Sequence, residues 1–293
     1  MNPKVTIITA TFNSSHTLGL TIQSVLAQDF TDFEYLVIGD ACTDDSEAVV
    51  HSFNDSRVQW HNLKLNSGSQ AASNNAGLDL ARGEYIAYVG HDDLWFPWHL
   101  SSLVNCLEQQ GHTFVHSLTF LIAPTGLRGV YGALGAGRNH DNIAAPPSSW
   151  LHRCDSQRWR EPSRLAIAVD NDFFWRWHRR YPSIGCSKQP SLIKFPSWWW
   201  RLYDRRDNFP QDRYSMCLQQ DPQGLLLELL HETAVLHASL GASFVSWQQW
   251  LKHALRPTFI RLLSSNPEHP LLRIWFQDQR KLIRRARGLK DHL

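Results

Sequence analysis

The chain has 293 residues, of which 43% are hydrophobic and 19% are charged, and its formal net charge is +2. This composition excludes an intrinsically disordered chain, and the near balance of charge gives no general attraction to nucleic acid, so no nucleic-acid partner is expected. The five cysteines include no CxxC pair, which argues against a disulfide framework or a zinc knuckle and favours a reducing compartment.

No stretch of the sequence has the features of a membrane span or a secretion signal. Apolar runs fall well short of the roughly 20 residues that cross a bilayer. The opening MNPKVTIITATFN lacks a basic segment followed by an apolar one. We therefore expect a cytoplasmic protein, either soluble or peripheral at the inner face of a membrane.

Strand-like and helix-like segments alternate over residues 1–120. The pattern predicts strands at 4–10, 33–40, 57–63, 83–90 and 113–122, and helices at 14–28, 43–53, 69–81 and 97–110. Strands that alternate with helices form βαβ units, so we predict an α/β fold with a mostly parallel sheet flanked by helices. In such sheets ligands bind beyond the carboxyl ends of the strands.

The remainder of the chain has a different composition. Residues 123–150 are rich in Gly, Pro and Ala, which predicts a loop or a poorly formed hairpin. Residues 150–215 are dense in Trp, Arg and Asp, and from residue 223 to the end the pattern is helical.

The stretch YIAYVGHDDLWFPWHL, residues 85–100, places two adjacent carboxylates, Asp92 and Asp93, just past a predicted strand. Like charges at adjacent positions repel, and a cation or a polyphosphate–metal complex would relieve that repulsion. The alternative is a solvated loop with a helix N-cap, because Asp before Pro97 suits the start of a helix. The stretch alone leaves both interpretations open.

Three segments together carry a family resemblance. They are VTIITATFNSSHTLGLTIQSVLAQDFTDFEYLVIGDACTDDS near the start, LDLARGEYIAYVGHDDLWFPWHL, and DNDFFWRWHRR followed by LIKFPSWWWR. The first resembles the T-x-[FY]-N and Q-S-[VIL]-L-x-Q motifs of the inverting family-two glycosyltransferases with the GT-A fold. The second resembles the metal motif of that family, and the third resembles its catalytic carboxylate segment. The resemblance covers residues 3–205.

The resemblance implies a Rossmann-like GT-A core with a C-terminal helical extension. It divides the chain into a nucleotide-sugar-binding core at 1–125, an acceptor and catalytic segment at 126–215, and a C-terminal helical region at 216–293. The implied activity is metal-dependent inverting transfer of a sugar from a UDP-, dTDP- or GDP-sugar to a hydroxyl group. The implied acceptor is a glycan, a lipid-linked glycan or another polysaccharide precursor.

Two other functions remain open. One is a catalytically inactive relative that binds nucleotide or glycan, because Gly39 and Gly90 stand where the family usually has aspartates. The other is a nucleotidyltransferase, which would need a Gly-rich phosphate loop near the first strand. The segment TATFNSS does not supply such a loop.

The implied donor site draws on residues that follow the first two strands. Phe12 can stack on a nucleobase or pack in the core, and Thr11 and Asn13 offer hydrogen bonds near the base. Asn13 could instead cap the next helix. Asp40 can accept a hydrogen bond from the base or the ribose, or it can be the N-cap of the helix that starts near Thr43.

Two further residues are predicted to contact the nucleotide sugar. The resemblance places Asp92 near the metal, which would be held against the diphosphate of the donor. Asn74 could contact the diphosphate or lie on a solvated helix face, and the second role is the stronger alternative.

Asp92 and Asp93 are the predicted ligands of Mn²⁺ or Mg²⁺. The first aspartate of the usual motif is Gly90 in this chain, but Mg²⁺ often needs only one or two carboxylates plus phosphate oxygens. His91 could also contact the metal, although a hard cation favours oxygen ligands. We expect Asp93→Ala to abolish metal-dependent donor binding and to leave the fold intact.

Asp170 is predicted to be the catalytic base, since the resemblance places it at the position of the family's base. Asp172 is the second candidate, and spacing of two residues on a helix directs the two carboxylates to opposite sides, so only one should enter the site. The alternative is a helix N-cap pair ahead of FFWRWHRR. Trp175, Trp177 and the tryptophans at 198–200 could form a sugar platform or pack in the core.

Residues 271–293 are predicted to form an amphipathic helix with a basic face. From residue 273 onward the sequence has seven Lys or Arg against two Asp. The apolar stripe could dock on the catalytic domain, or the helix could lie on an anionic membrane surface. The second alternative suits an enzyme that acts on a lipid-linked acceptor.

Overall fold

The structure is a computed structural model that describes residues 2–123, 126–132, 145–165, 168–181, 184–195 and 211–241. Its strands are β1 (Val5–Thr11), β2 (Phe33–Gly39), β3 (Val58–Asn62), β4 (Tyr85–Tyr88), β5 (Leu94–Trp95), β6 (Phe114–Ala123), β7 (Gly126–Tyr131), β8 (Trp150–Arg153) and β9 (Ile184–Lys194). Its α-helices are α1 (Ser15–Leu26), α2 (Ser46–Ser52), α3 (Gln70–Leu80), α4 (His99–Gln109), α5 (Val169–Arg180), α6 (Gln211–Gln220) and α7 (Pro222–Gly241). Short 3₁₀ helices cover Pro147–Ser149 and Pro162–Arg164.

The described strands form one sheet in the order β3-β2-β1-β4-β8-β6-β9-β5, with β7 paired to β6. The four strands β3, β2, β1 and β4 are parallel to one another. Each is followed or preceded by a helix that crosses over the sheet, as βαβ units require. The α/β class predicted from the sequence is confirmed.

The sheet as a whole is mixed, because later strands enter it in the opposite direction. Strand β8 lies antiparallel between β4 and β6, and β5 pairs antiparallel with β9. The segment at 126–131, predicted as a loop or a poor hairpin, forms a hairpin strand on β6 with a register shift at Leu121/Ile122. Strands from residues 126–194 therefore extend the same sheet that the first 125 residues begin.

Both faces of the sheet are covered, and the alternation of side chains along β1 shows how. Ile7 joins a buried cluster that contains residues of α1 and α4, whereas Ile8 joins a second cluster with residues of α3 and α5. Successive strand residues point to opposite faces, so one strand supplies both cores. A third cluster packs Leu225 and Leu229 of α7 against Phe120 of β6 and its neighbours.

The C-terminal part of the chain is helical over α6 and α7, as predicted from residue 223 onward. The predicted amphipathic helix at 271–293 lies outside the described residues. Among the residues that are described, no helix combines the length and the apolar character needed to cross a membrane.

Two buried histidines should make the fold sensitive to acid. Burial lowers the pKa of His99 to about 3 and that of His152 to about 4. In the unfolded chain both groups titrate near pH 6.5, so below that pH the unfolded state binds protons that the folded state does not. Stability is therefore lost as the pH falls from about 6.5 toward 4, by about 2 kcal/mol for each histidine between pH 7 and pH 5.

Urea unfolding at pH 7 and pH 5 checks this prediction. His152→Phe should reduce the difference in unfolding free energy between the two pH values, because the variant has one titrating group fewer. His51, which is exposed, provides the control, and His51→Gln should leave the difference unchanged. Equal stability of the unmodified chain at both pH values would contradict the assignment.

Candidate active site

The carboxyl ends of β1, β2 and β4 meet at one edge of the sheet. Thr11 at the end of β1 pairs with Gly39 at the end of β2, and Ile8 pairs with Tyr88 at the end of β4. The polar residues that follow these strands therefore lie in one region, where ligands bind in parallel sheets.

Asp40 is buried and anchors the loop before α3. Its two carboxylate oxygens accept hydrogen bonds from the backbone N–H groups of Ser67 and Gly68, at 2.9 and 3.0 Å. The side-chain amide of Asn66 donates to the Asp40 carbonyl at 2.9 Å. Asp40 is not the N-cap of α2, which is Asp45. A carboxylate has more lone pairs than these two bonds use, so Asp40 keeps acceptor capacity.

Asn13 links the turn after β1 to the turn after β2. Its side-chain oxygen accepts from the Thr43 backbone N–H at 2.8 Å, and its backbone φ is +46°, in the left-handed region that Asn tolerates. The N-cap of α1 is Ser14, so the predicted alternative of an Asn13 cap is wrong. Phe12 beside it is half-buried.

Two other predicted donor-site residues are buried. Thr11 is 2% exposed, and its hydroxyl has no hydrogen-bond partner within the described residues. Asn74 is also 2% exposed on α3, so the alternative of a solvated helix face is wrong.

The loop that follows β4 contains two aspartates in different environments. Asp93 is fully buried, and its carboxylate accepts from Lys194 Nζ at 2.8 Å, from the Ser148 hydroxyl, and from the Phe195 backbone N–H at 3.2 Å. Asp93 is therefore part of a buried ion pair that joins this loop to the end of β9.

Asp92 is half-buried and lies close to the imidazole of His91. Its Oδ2 is 3.7 Å from His91 Nε2, and its backbone carbonyl accepts from the Gln211 side chain of α6 at 2.6 Å. The His91 Nδ1 atom lies 3.3 Å from the Ala10 carbonyl. The Asp92 carboxylate and the His91 imidazole therefore lie close to each other in this loop. Neither side chain is part of the ion pair between Asp93 and Lys194.

The metal-ligating side chains of this loop suit a divalent ion that phosphate oxygens also bind. They are too few to bind a metal ion by themselves. No group of three or more His, Cys, Asp or Glu side chains converges on a metal position within the described ranges. A Cβ added at Gly90 would lie 2.8 Å from Asp93 Oδ2 and 3.1 Å from Asp92 Oδ1. Glycine at position 90 therefore leaves room for both carboxylates close to the backbone. Because Asp93 is paired with Lys194, the Asp92 carboxylate and the His91 imidazole remain as possible ligands of an ion.

Asp170 and Asp172 both lie in the first turn of α5, whose N-cap is Ala168, so neither is the predicted N-cap. Asp172 is 1% exposed and forms an ion pair with Arg176 at 2.8 Å. Asp170 is half-buried, accepts from the Asn171 backbone N–H at 2.9 Å, and forms no ion pair within the described residues. The two carboxylates therefore have different surroundings, since Asp172 is in an ion pair and Asp170 is not within the described residues.

Burial raises the pKa of Asp170 above its ordinary value, and the positive charge of Lys194 acts in the opposite direction. A carboxyl group with a raised pKa is a better proton acceptor than an ordinary aspartate. The arrangement at α5 therefore suits a general base. The nearby lysine is the same one that neutralises Asp93.

Comparison of the sequence with known proteins shows which family it is similar to. Residues 6–129 match the model of the family described as Glycosyl transferase family 2. This part of the chain is therefore similar to glycosyltransferase family 2. The matched range holds every predicted donor-site and metal residue up to Asp93, whereas Asp170 lies beyond it.

The chain is also similar to WfaP of Escherichia coli, a UDP-Glc:alpha-D-GlcNAc-diphosphoundecaprenol beta-1,3-glucosyltransferase. It is 28% identical over 145 residues, which are 48% of this chain and 57% of WfaP. The match thus spans little more than half the length of that relative.

Two solved structures share the fold over nearly the whole chain. Staphylococcus aureus TarS 1–349 in complex with UDP-GlcNAc has a TM-score of 0.54 at 17% identity, covering 99% of this chain and 93% of TarS. The mannosyltransferase PcManGT of Pyrobaculum calidifontis, in complex with GDP-Man and Mn²⁺, has a TM-score of 0.52 at 14% identity, covering 98% of this chain and 86% of PcManGT. These similarities establish the GT-A fold.

The sequence did not single out two residues that organise this region. One is Lys194, whose ammonium group donates to Asp93 Oδ2 at 2.8 Å and whose positive charge acts to lower the pKa of Asp170. A signal was present, because a lysine in the apolar segment LIKFP is a charge that needs a partner when it is buried. Asn75 was not singled out, although it exchanges two hydrogen bonds with the Trp159 backbone.

The predicted sugar platform is divided between core and surface. Trp177 is fully buried in the cluster on the α5 face, so it packs in the core, and Trp175 is half-buried beside it. The tryptophans at 198–200 lie outside the described residues.

Proposed function

We propose that this protein is an inverting glycosyltransferase that moves a sugar from a nucleoside-diphosphate sugar to a hydroxyl group of an acceptor. The observation that carries the proposal is the contrast between Asp170 and the other aspartates around the site. Asp93 and Asp172 are held in ion pairs, whereas Asp170 has a raised pKa and forms no ion pair within the described residues. It is the carboxylate best suited to accept a proton.

In the proposed reaction Asp170 accepts the proton of the acceptor hydroxyl group. The acceptor oxygen attacks the anomeric carbon of the donor from the side opposite the leaving group, and the bond from that carbon to the diphosphate oxygen breaks. The electron pair of the broken bond leaves with the nucleoside diphosphate, and the configuration at the anomeric carbon is inverted. Proton acceptance by a positioned side chain typically contributes 10²–10⁴-fold to the rate.

The donor half of the site would use the residues at the ends of β1 and β2. Phe12 would stack on the base, and Asn13 and Asp40 would offer polar atoms to the base and the ribose. A bound Mn²⁺ or Mg²⁺ would supply positive charge to the departing diphosphate. Asp92, with His91 beside it, would hold that ion, and Asp93 would orient the loop through Lys194.

We propose UDP-, dTDP- or GDP-sugars as donors and a glycan, a lipid-linked glycan or another polysaccharide precursor as the acceptor. The support is that TarS is solved with UDP-GlcNAc, PcManGT with GDP-Man and Mn²⁺, and that WfaP is named for a diphosphoundecaprenol acceptor. The same features support a cytoplasmic enzyme of polysaccharide synthesis.

A thermal-shift screen of UDP-, dTDP- and GDP-sugars, each with Mn²⁺, with Mg²⁺ or with chelator, tests the donor and the metal together. A ligand at 100 times its Kd stabilises the folded state by about 2.7 kcal/mol, so a specific donor gives a clear rise in Tm. We expect one nucleotide class to stabilise the protein more with metal than with chelator. Asp92→Asn should remove the metal-dependent part. No shift with any nucleotide sugar would contradict the proposal.

The second candidate is a relative that binds nucleotide without catalysis, and the observation that favours it is Gly90. With glycine at this position the loop lacks one carboxylate, so an ion is held by fewer protein ligands. Nucleotide binding with no turnover on any acceptor would support this candidate. Donor turnover that disappears in Asp170→Asn would exclude it.

We further propose that residues 271–293 contact an anionic membrane, which would bring the site to lipid-linked acceptors. Each basic residue near such a surface contributes about 1 kcal/mol, and salt screens that attraction. Full-length protein should sediment with phosphatidylserine vesicles at low salt and be released at high salt. A chain that ends near Pro270 should stay in solution. If both proteins behave alike, the segment is a structural element.

A further inference from the structure

The loop after β4, residues 90–93, is held in place through all four of its backbone carbonyl groups. The Gly90 carbonyl accepts a hydrogen bond from the Asp93 backbone N–H at 3.0 Å, which closes a turn within the loop. The other three carbonyl groups accept hydrogen bonds from side chains of α1 and α6. Two helices outside the loop therefore add to the rigidity that the turn provides.

Helix α1 contributes two of these side chains. The Thr17 hydroxyl donates to the His91 carbonyl at 2.9 Å, and the Thr21 hydroxyl donates to the Asp93 carbonyl at 3.0 Å. The two threonines are four residues apart, so they lie on the same face of the helix. Both lie within the range that matches the family model. This part of the support therefore belongs to the segment that is similar to the family.

Helix α6 contributes the third side chain, and its contact is with Asp92 itself. The Gln211 side-chain amide donates to the Asp92 carbonyl at 2.6 Å. Gln211 is the first residue of α6 and is 2% exposed, and α6 packs against α1. Because a buried amide group is costly without a partner, this hydrogen bond stabilises one position of the Gln211 side chain. The contact comes from a helix that lies beyond the range matching the family model.

These contacts orient the backbone on both sides of Asp92. A peptide group is planar, so a hydrogen bond to its carbonyl oxygen orients the whole group. The Thr17 bond orients the peptide group before Asp92, and the Gln211 bond orients the peptide group after it. The two groups together set φ and ψ of Asp92, and these angles set the direction in which its side chain leaves the backbone.

The direction of the Asp92 side chain is important for binding a divalent ion. The Asp92 carboxylate and the neighbouring His91 imidazole are the ligands that remain in this loop, so a change in the angle of one of them alters much of the protein's contribution. Mg²⁺ requires nearly ideal octahedral geometry, whereas Ca²⁺ accepts flexible geometry with more ligands. A site with few ligands therefore depends on the residues that orient those ligands.

We propose that Gln211 is a positioning residue that orients the Asp92 carboxylate toward a divalent ion held between the loop and the diphosphate of the nucleotide sugar. This inference rests on the proposed function, because it takes Asp92 as a ligand of that ion. It makes α6 part of the nucleotide-sugar site. The structural alternative is that Gln211 only fastens α6 to the loop and contributes to stability.

Calorimetric titration of the full-length chain with UDP, dTDP and GDP tests the proposal. Each nucleotide is titrated with Mg²⁺, with Ca²⁺ and with chelator, and the metal effect is the factor by which an ion tightens binding relative to chelator. For the nucleotide that binds most tightly, Gln211→Met should lower the Mg²⁺ effect by about 10-fold, which is the usual contribution of one hydrogen bond. Binding with chelator should be unchanged, because the proposal gives Gln211 no contact with the nucleotide.

The difference between the two ions separates positioning from stability. Misdirection of one carboxylate should reduce the Mg²⁺ effect more than the Ca²⁺ effect, since Ca²⁺ tolerates irregular geometry. Gln211→Asn keeps the amide on a shorter side chain and should keep part of the Mg²⁺ effect, and this variant decides the question if Gln211→Met does not fold. Equal losses for both ions, or an unchanged Mg²⁺ effect in both variants, would overturn the proposal.

Gln28 of α1 provides the matched control. It is also buried, with 4% of its surface exposed, and its amide donates to the Phe96 carbonyl at 2.8 Å, just beyond the loop. Gln28→Met should lower the free energy of unfolding in urea and leave the Mg²⁺ effect unchanged. If the Mg²⁺ effect falls equally in Gln28→Met and Gln211→Met, loss of stability explains both results, and the positioning role is wrong.

The same titrations distinguish failure of this inference from failure of the proposed function. If the metal effect depends on Gln211 but no acceptor receives a sugar from any nucleotide sugar, the positioning role stands and the proposed function fails. If the unmodified chain shows no metal effect with any of the three nucleotides, the positioning role fails. Sugar transfer in the presence of chelator would then leave the glycosyltransferase function standing.

Discussion

Asp170→Asn is expected to lower turnover by about 100-fold or more while donor binding persists. The amide cannot accept the acceptor's proton, yet it occupies the same volume in the first turn of α5. Because burial raises the pKa of Asp170 and the base acts when deprotonated, kcat/KM of the unmodified enzyme should fall as the pH drops through that raised pKa. Steady-state kinetics across pH, combined with donor titration, check both statements.

Asp172→Asn is the matched control for this experiment. The change leaves Arg176 and Arg160 without their shared carboxylate, so the variant should unfold more readily. Its remaining folded fraction should keep the pH profile of the unmodified enzyme. Near-normal turnover in Asp170→Asn, together with a large loss at constant stability in Asp172→Asn, would transfer the role of base to Asp172.

Asp93→Ala is expected to destabilise the fold by about 3–5 kcal/mol, the usual effect of removing one partner of a buried ion pair. Lys194, whose side chain is 25% exposed, would lose its carboxylate partner, and the Phe195 N–H and the Ser148 hydroxyl would lose an acceptor. The sequence had predicted an intact fold for this variant. The buried ion pair changes that expectation, and urea unfolding measures the outcome.

The control for Asp93→Ala is Asp92→Ala, which should lose metal-dependent donor binding with little change in stability. The double variant Asp93→Ala/Lys194→Met should recover part of the lost stability, because it removes the unpaired charge. If Asp93→Ala keeps its unfolding free energy and loses metal affinity, Asp93 is a metal ligand as the sequence predicted. Lys194 would then have a different partner in the metal-bound state.

The sequence predicted the parallel half of the fold well because its signals are local. Hydrophobic segments of strand length alternate with helical periodicity up to residue 122, and all nine predicted elements form with ends within three residues. The same local reasoning could not place β8. Its four residues join β4 to β6 through long-range pairing, and that pairing has no signal in the segment itself.

The candidate site was predictable in its residues but not in their partners. Motif resemblance led to Asp92, Asp93 and Asp170, because such motifs preserve residue types in order. Whether a carboxylate faces a ligand or an ion pair depends on residues distant in sequence, such as Lys194, which is 101 positions from Asp93. That distinction separates Asp93 from Asp92, and it separates Asp172 from Asp170.

The most direct test of the account is the stereochemistry of the product. The full-length chain would be incubated with the α-linked nucleotide sugar selected by the thermal-shift screen, with Mn²⁺ and an acceptor, and the anomeric proton of the product would be observed by NMR. An inverting enzyme gives a β-linked product from the α-linked donor, and Asp170→Asn should give no product. An α-linked product, or equal product formation in Asp170→Asn, would contradict it.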